Sequence, residues 1–359
     1  MNYKRKYYKK KYYKREYYKR EYYKSKNIIR VRIMRELIIR GCIMDLAYLF
    51  RILPRSVSAL IDQGMINKIQ EIRIRVGKRA IIKYDDSEKD TNFVPDEREM
   101  IDILQRLCDN SIYSFQNQIA QGYITLVGGH RVGISGSVAL KDGKVNNINY
   151  ISALNFRIAK EIIGVSDKIV RYVLKDNEVQ NTLIISKPGM GKTTVLRDLV
   201  RYISTNTKNE ISVIDERGEI AAMYKGVPQN NLGPRCDVFD NVTKSIGMKM
   251  AVRAMAPSVI VSDEIGTKED VEAINYAVLS GVKGIFTAHG DSINDIRLNE
   301  NLNKLYEEKI FKMLIFLERM GKIRDVYILE NNMYKLVYKT PKGVNTKSGY
   351  VRYKGGLNL

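Results

Sequence analysis

The chain predicts an α/β fold with a mainly parallel sheet, carried behind a smaller α+β domain and a low-complexity basic tail. Three observations predict it. Short apolar runs at 182–185, 210–214, 258–262 and 284–288 alternate with helical stretches, which requires crossover connections and parallel pairing. Between about Leu46 and Ile163, two-residue strand patterns mix with helical ones. Residues 1–26 carry 12 Lys/Arg against Glu16 and Glu21, with tyrosine pairs recurring every five residues from Tyr7-Tyr8 to Tyr22-Tyr23. A five-residue period suits neither a helix face nor a strand face, so a disordered tail is expected there. The expected boundaries are 1–43 for the tail, 44–163 for the first domain, 164–338 for the second and 339–359 for a C-terminal tail.

Composition narrows the class. With 359 residues, two domains are the expected number. An apolar content of 44% with 25 Gly and 7 Pro excludes global disorder and collagen-like repetition. The apolar region from Ile28 to Leu53 is broken by Arg30, Arg32, Arg35, Glu36, Arg40, Asp45 and Arg51, so it fits neither a spanning helix nor a signal peptide. Three dispersed cysteines, Cys42, Cys108 and Cys236, form neither a disulfide framework nor a metal-ligand spacing. A soluble protein of a reducing compartment, the cytoplasm, is the expectation. The net charge of +21 suggests nucleic acid until it is divided: +10 lies in the first 26 residues. The tail reads as an electrostatic arm for nucleic acid or an anionic membrane, as a solvated extension, or as an over-called start with translation beginning at Met34 or Met44.

In the first domain, Leu46, Leu49, Phe50 and Leu53 mark one helix face, which Pro54 interrupts. Glu71 to Val76 alternates as a half-buried strand, Ala80 to Tyr84 reads as its hairpin partner, and Asp85 to Glu97 as a loop. Met100 to Ile119 is helical in period. Gly122 to Val127 and His130 to Gly136 read as two strands around a tight glycine turn. Arg131 and Arg157 are candidate cations for delivery to a neighbouring site, against the plainer reading of surface arginines.

The second domain carries the chemistry. Strand 182–185 runs into Ser186, Lys187, Pro188, Gly189, Met190, Gly191, Lys192, Thr193 and Thr194, and a helix follows with Val195, Leu196, Leu199, Val200 and Ile203 on one face. Strand, glycine loop and helix in that order form a phosphate-binding loop. Gly189 and Gly191 let backbone N–H groups point at phosphate oxygens, the helix N-terminus adds positive potential, Lys192 reaches the β/γ-phosphates and Thr193 takes a Mg²⁺ position. Serine at 186 departs from the usual first glycine of such loops. Strand 258–262 ends in Asp263, a second Mg²⁺ residue, and Glu264, placed to polarise the attacking water. Ser262 stands there where an apolar residue is commoner. Strand 210–214 leads to Asp215, Glu216 and Arg217, and strand 284–288 to Thr287 and His289, placed to sense a γ-phosphate rather than only to pack. ATP and Mg²⁺ are the expected cofactors and phosphoryl transfer to water the expected chemistry.

These motifs together resemble the stage III sporulation protein AA family of endospore-forming bacteria, akin to type II and type IV secretion ATPases. The resemblance rests on Pro188 to Thr194, Asp215 to Ile220, Val227 to Gln229, Gly233 to Val238, Asp263 to Gly266 and Thr287 to Gly290. It extends to Glu71 to Val76 and Gly128 to Gly136 in the first domain. It implies a P-loop NTPase domain with a RecA/AAA-like sheet. It also implies a homo-oligomeric, hexameric ring in the mother cell and membrane-embedded channel proteins as partners. Glu216 then matches the acidic box and His289 the histidine box of secretion ATPases, with Arg235 and Arg253 as candidate interface arginines. Two other readings compete: an ATPase stimulated by nucleic acid through the basic tail, and a scaffold that binds ATP and hydrolyses it poorly.

Overall fold

Alternation of isoleucine with arginine in Ile69–Arg75 puts Ile72 and Ile74 on a buried face and Arg73 and Arg75 on the opposite one. A computed structural model describes residues 44–61, 65 and 68–340; the basic tail with the candidate start Met34, and residues 341–359, lie outside the described residues, whereas the candidate start Met44 is the first described residue. These residues form two units, ending and beginning at Ala159 and Lys160. The expected boundary lies four residues later. Among the four residues that differ, Glu161 accepts a hydrogen bond from the Asn231 N–H of the second unit at 3.2 Å.

In the first unit, β1 (Ile69–Arg75), β2 (Lys78–Tyr84), β3 (Glu88–Asp90), β4 (Tyr123–Thr125), β5 (Arg131–Lys141) and β6 (Lys144–Arg157) make one antiparallel sheet in the order β3-β2-β1-β6-β5-β4. The β1–β2 hairpin stands where the alternation places it. The segment read as a loop holds β3, whose side chains are all exposed and so leave no hydrophobic period. The long helical period from Met100 divides into helix Glu97–Leu107, a 3-10 turn Ile112–Phe115 and helix Gln116–Ala120. The break falls at Asp109 and Asn110, both at positive φ, a conformation these two residue types tolerate best among non-glycines. The glycine turn at Gly128-Gly129 forms a 3-10 turn, and the strand after it is far longer than expected, pairing with β6 along most of its length.

In the second unit a small hairpin, β7 (Leu174–Lys175) and β8 (Glu178–Val179), precedes the main sheet. That sheet contains β9 (Thr182–Ser186), β10 (Ile211–Asp215), β11 (Cys236–Asp240), β12 (Val259–Ser262), β13 (Lys283–His289), β14 (Met313–Arg319), β15 (Lys322–Glu330) and β16 (Met333–Lys339). Its order is β11-β10-β12-β13-β9-β14-β15-β16; the first six strands are parallel and the last two antiparallel. All four expected strands occupy its centre. Every residue of β9, β10 and β12 is buried, as a sheet covered on both faces demands. Helices Lys192–Asn206 and Lys244–Ala254 contribute to separate apolar clusters, one around Ile184, Leu199 and Val261, the other around Ile185, Met248 and Phe286.

Candidate active site

The phosphate loop begins at the last residue of β9. Ser186 is buried, pairs in register with His289 and has no positive φ, so its backbone does not need glycine. The serine departure therefore costs the loop nothing. Gly189 (φ 74°) and Gly191 (φ 82°) do need to be glycine, and Gly191 has a second reason: a Cβ there would lie 2.7 Å from the Cβ of Met320 in the β14–β15 turn. Lys187 pairs with Asp291 at 3.2 Å, and Asp291 also pairs with Arg324, which holds the Asp291 carboxyl below the usual carboxylate range. Thr193 and Thr194 follow in the first turn of the helix, half-buried, and Met190 precedes them.

Lys192 is the centre of a charged chain. Its Nζ donates to the backbone oxygens of Ser186 (2.9 Å) and Lys187 (3.3 Å) and to Nδ1 of His289 (3.0 Å). Nε2 of His289 lies 3.0 Å from Oε1 of Glu264, whose other oxygen pairs with Arg217. An ammonium donating to Nδ1 leaves the neutral ring its proton on Nε2, aimed at Glu264. Burial lowers the Lys192 pKa, opposed by the charge of Glu264. Glu264 sits at φ 43°, strained for a residue with a Cβ, while its N–H donates to Oγ1 of the buried Thr287 at 2.9 Å.

Asp263, next to it, is fully buried and neither carboxylate oxygen has a hydrogen-bond partner. Burial, joined by the charge of Asp215 and offset by Lys244, pushes its pKa to about 7. An unsatisfied carboxylate of this kind is costly unless a cation meets it. The Asp263 oxygens, with the Thr193 hydroxyl, therefore fit a hard divalent ion such as Mg²⁺. Ser262, the polar residue in an apolar strand, is explained by its bond to the Ile214 carbonyl at 2.9 Å.

Asp215 has a different task from the acids beside it. Its carboxylate accepts from the N–H groups of Glu219, Ile220 and Ala221 and so folds the loop after β10. Glu216 pairs with Lys244, which is buried. Lys244 escaped the reading of motifs, and Arg217 was named in one without a role. A lysine in the first turn of a helix opposes the helix dipole, and that was the available signal that Lys244 has an acidic partner. Arg235 lies at the opposite, amino-terminal edge of the sheet, paired with Glu210 at 2.6 Å. Arg253 is exposed in the last turn of Lys244–Ala254. Neither touches this chain's phosphate loop. Arg131 and Arg157 pair in register across β5 and β6 of the first unit, with the Arg131 guanidinium 3.9 Å from the Tyr123 ring centre.

Residues 47–334 match the model of the family described as sporulation stage III, protein AA. The chain is 37% identical over 302 residues to the stage III sporulation protein AA of Bacillus subtilis (strain 168), covering 79% of this chain and 95% of that protein. It is 30% identical over 163 residues to the uncharacterized protein ycf45 of Cyanidium caldarium, covering 45% of this chain and 47% of that one. Among solved structures, the pilus retraction motor PilT with bound ADP has a TM-score of 0.50 at 17% identity, covering 78% of this chain and 82% of that one. That likeness is one of fold, the P-loop ATPase fold. The chain belongs to the stage III sporulation protein AA family.

Proposed function

We propose that this member of the stage III sporulation protein AA family is a Mg²⁺-dependent ATPase. In this reading it works as a homo-oligomeric, hexameric ring in the mother-cell cytoplasm, beside a membrane, and powers a channel to the forespore. One observation carries the catalytic part: a strained Glu264 and a buried, unpartnered Asp263 stand at the sheet edge where Lys192 and two left-handed glycines build the phosphate loop. No helix among the described residues is long and apolar enough to cross a membrane.

Lys192 and the loop amides bind the β- and γ-phosphates of ATP. Thr193 and Asp263 would hold Mg²⁺, which when bound would supply charge neutralisation for phosphoryl transfer. Glu264 orients water and draws its proton, and the Thr287 hydroxyl fixes its backbone for that task. Both Glu264 oxygens are engaged, one by His289 and one by Arg217. His289 thereby joins the group that would meet the γ-phosphate to the group that would meet water, the geometry of a sensor. Glu216, tied to Lys244, lies beside this set, and Arg235 or Arg253 would act on a neighbouring subunit.

Two variants test the reading. Glu264→Gln should retain a labelled ATP analogue and lose about 10²- to 10⁴-fold in turnover. Lys192→Ala should lose retention itself. Turnover per subunit that does not rise with protein concentration would contradict the ring, and stimulation by single-stranded DNA would favour the nucleic-acid alternative.

A further inference from the structure

The sheet of the first unit has a second face, which carries the Arg131–Arg157 pair and, in the rows beside it, further basic and polar side chains. Ile72, Ile74, Val132, Leu154 and Phe156 are buried on one side. The alternate residues line a basin of about 320 Å³ on the other: Arg73, Arg75, Gly133, Ser135, Ala153 and Asn155. Strand register arranges them in two rows, Arg73–Asn155–Gly133 and Arg75–Ala153–Ser135.

Three features make this a receptacle. Arg73 and Arg75 stand two residues apart on one strand, their Cα atoms roughly 6.6 Å apart at the rise of a β-strand. Nε of Arg73 donates to Glu71, which leaves the NH1 and NH2 groups for another acceptor, and Arg75 forms no ion pair among the described residues. The Asn155 Oδ1 atom is buried without a hydrogen-bond partner. Finally, Gly133 has no positive φ, and a Cβ added there would meet only Asn155 Cβ at 3.8 Å and Asn155 O at 3.9 Å, which is ordinary contact. Neither backbone nor packing requires glycine at 133; a side chain there would occupy the floor of the basin.

We infer that this basin binds a small phosphorylated ligand of nucleotide size, with the phosphate on Arg73 and Arg75 and a ligand hydroxyl or amino group donating to Asn155 Oδ1. Guanidinium forks match phosphate oxygens geometrically, and the volume is that of a small-molecule site. No aromatic ring lines the basin, so it offers no stacking platform for successive bases of a nucleic-acid strand. The inference stands apart from the ATPase reading, because its residues all belong to the first unit.

The test uses the full chain carrying Lys192→Ala, which removes the phosphate loop's own affinity, and measures binding of pyrophosphate, AMP and an oligothymidylate by calorimetry. AMP should bind more tightly than pyrophosphate, since only AMP fills the basin and offers a donor to Asn155. Adding Gly133→Val should weaken AMP at least tenfold by filling the floor. Adding Arg75→Gln, a change at a half-exposed side chain that leaves packing intact, should do the same. Loss of AMP binding with Lys192→Ala alone, or AMP binding unchanged by both basin variants, would overturn the site. Tighter binding of pyrophosphate or of the oligothymidylate than of AMP would overturn the ligand class.

Discussion

The two edges of the second unit's parallel sheet are built on opposite principles. At the carboxyl edge, Asp263 is buried without a partner, Glu264 is strained, and Lys192, His289, Glu264 and Arg217 form a line of charge. At the amino edge stand three polar pairs instead. Asn181 Oδ1 accepts from the Gly284 N–H at 2.8 Å, Ser258 Oγ donates to Asn209 Oδ1 at 3.2 Å, and Arg235 meets Glu210. One edge holds groups whose unmet bonds a ligand can complete, and the other only holds strands together. Strand direction is the cause: open α/β sheets place ligands beyond the carboxyl ends of their strands.

Changes at the two edges should separate stability from turnover. The largest effect is expected from Asp263→Asn. Removing the charge should abolish Mg²⁺-supported hydrolysis, at least 100-fold, while raising the melting temperature of the nucleotide-free protein. The sign follows from the folded pKa of about 7, above the unfolded carboxylate value. The wild-type penalty is absent below the unfolded value, grows as pH rises, and is complete above about 7. The variant's advantage should therefore be greatest at pH 8 and shrink toward pH 5. An advantage that does not depend on pH would show that Asp263 is not a buried charge.

Next in size, Asn181→Ala should strip the partner from a buried strand N–H and cost about 1–3 kcal/mol in denaturant unfolding, with turnover of the folded fraction unchanged. A fall in turnover beyond the folded fraction would break the distinction between edges. Arg217→Ala frees one oxygen of Glu264 and should alter basal hydrolysis several-fold with little change in stability, the pair being half exposed. Arg235→Ala is the smallest, about 0.2–1 kcal/mol in the isolated subunit. A loss of turnover there that appears only at concentrations supporting assembly would identify it as an interface arginine.

The same contrast explains how much was legible beforehand. The central strands, the phosphate loop and the acidic pair are local motifs, each a few residues long and repeated in order, and they stand where their spacing places them. Strands β11, β14, β15 and β16 were not foreseen. Cys236–Asp240 has no fully buried residue and no apolar run, and the β15–β16 hairpin is largely half-exposed at the sheet's margin. Ser262 looked irregular only because its partner, Ile214, is distant in sequence, and Ser186 only because such loops usually open on glycine, which its backbone does not need. The break after Leu107 was hidden because Phe115 and Ile119 continue the apolar spacing through a turn.

Sequence alone determined where a glycine loop falls between strand and helix and where acids stand at strand ends, because both are written in consecutive residues. Only the tertiary structure decided their electrical state. Lys192 meets a histidine 97 positions away, Lys244 neutralises an acid 28 positions before it, and Asp263 loses its water. Desolvation and charge pairing depend on what surrounds a group in space, and that is settled only when the strands are side by side.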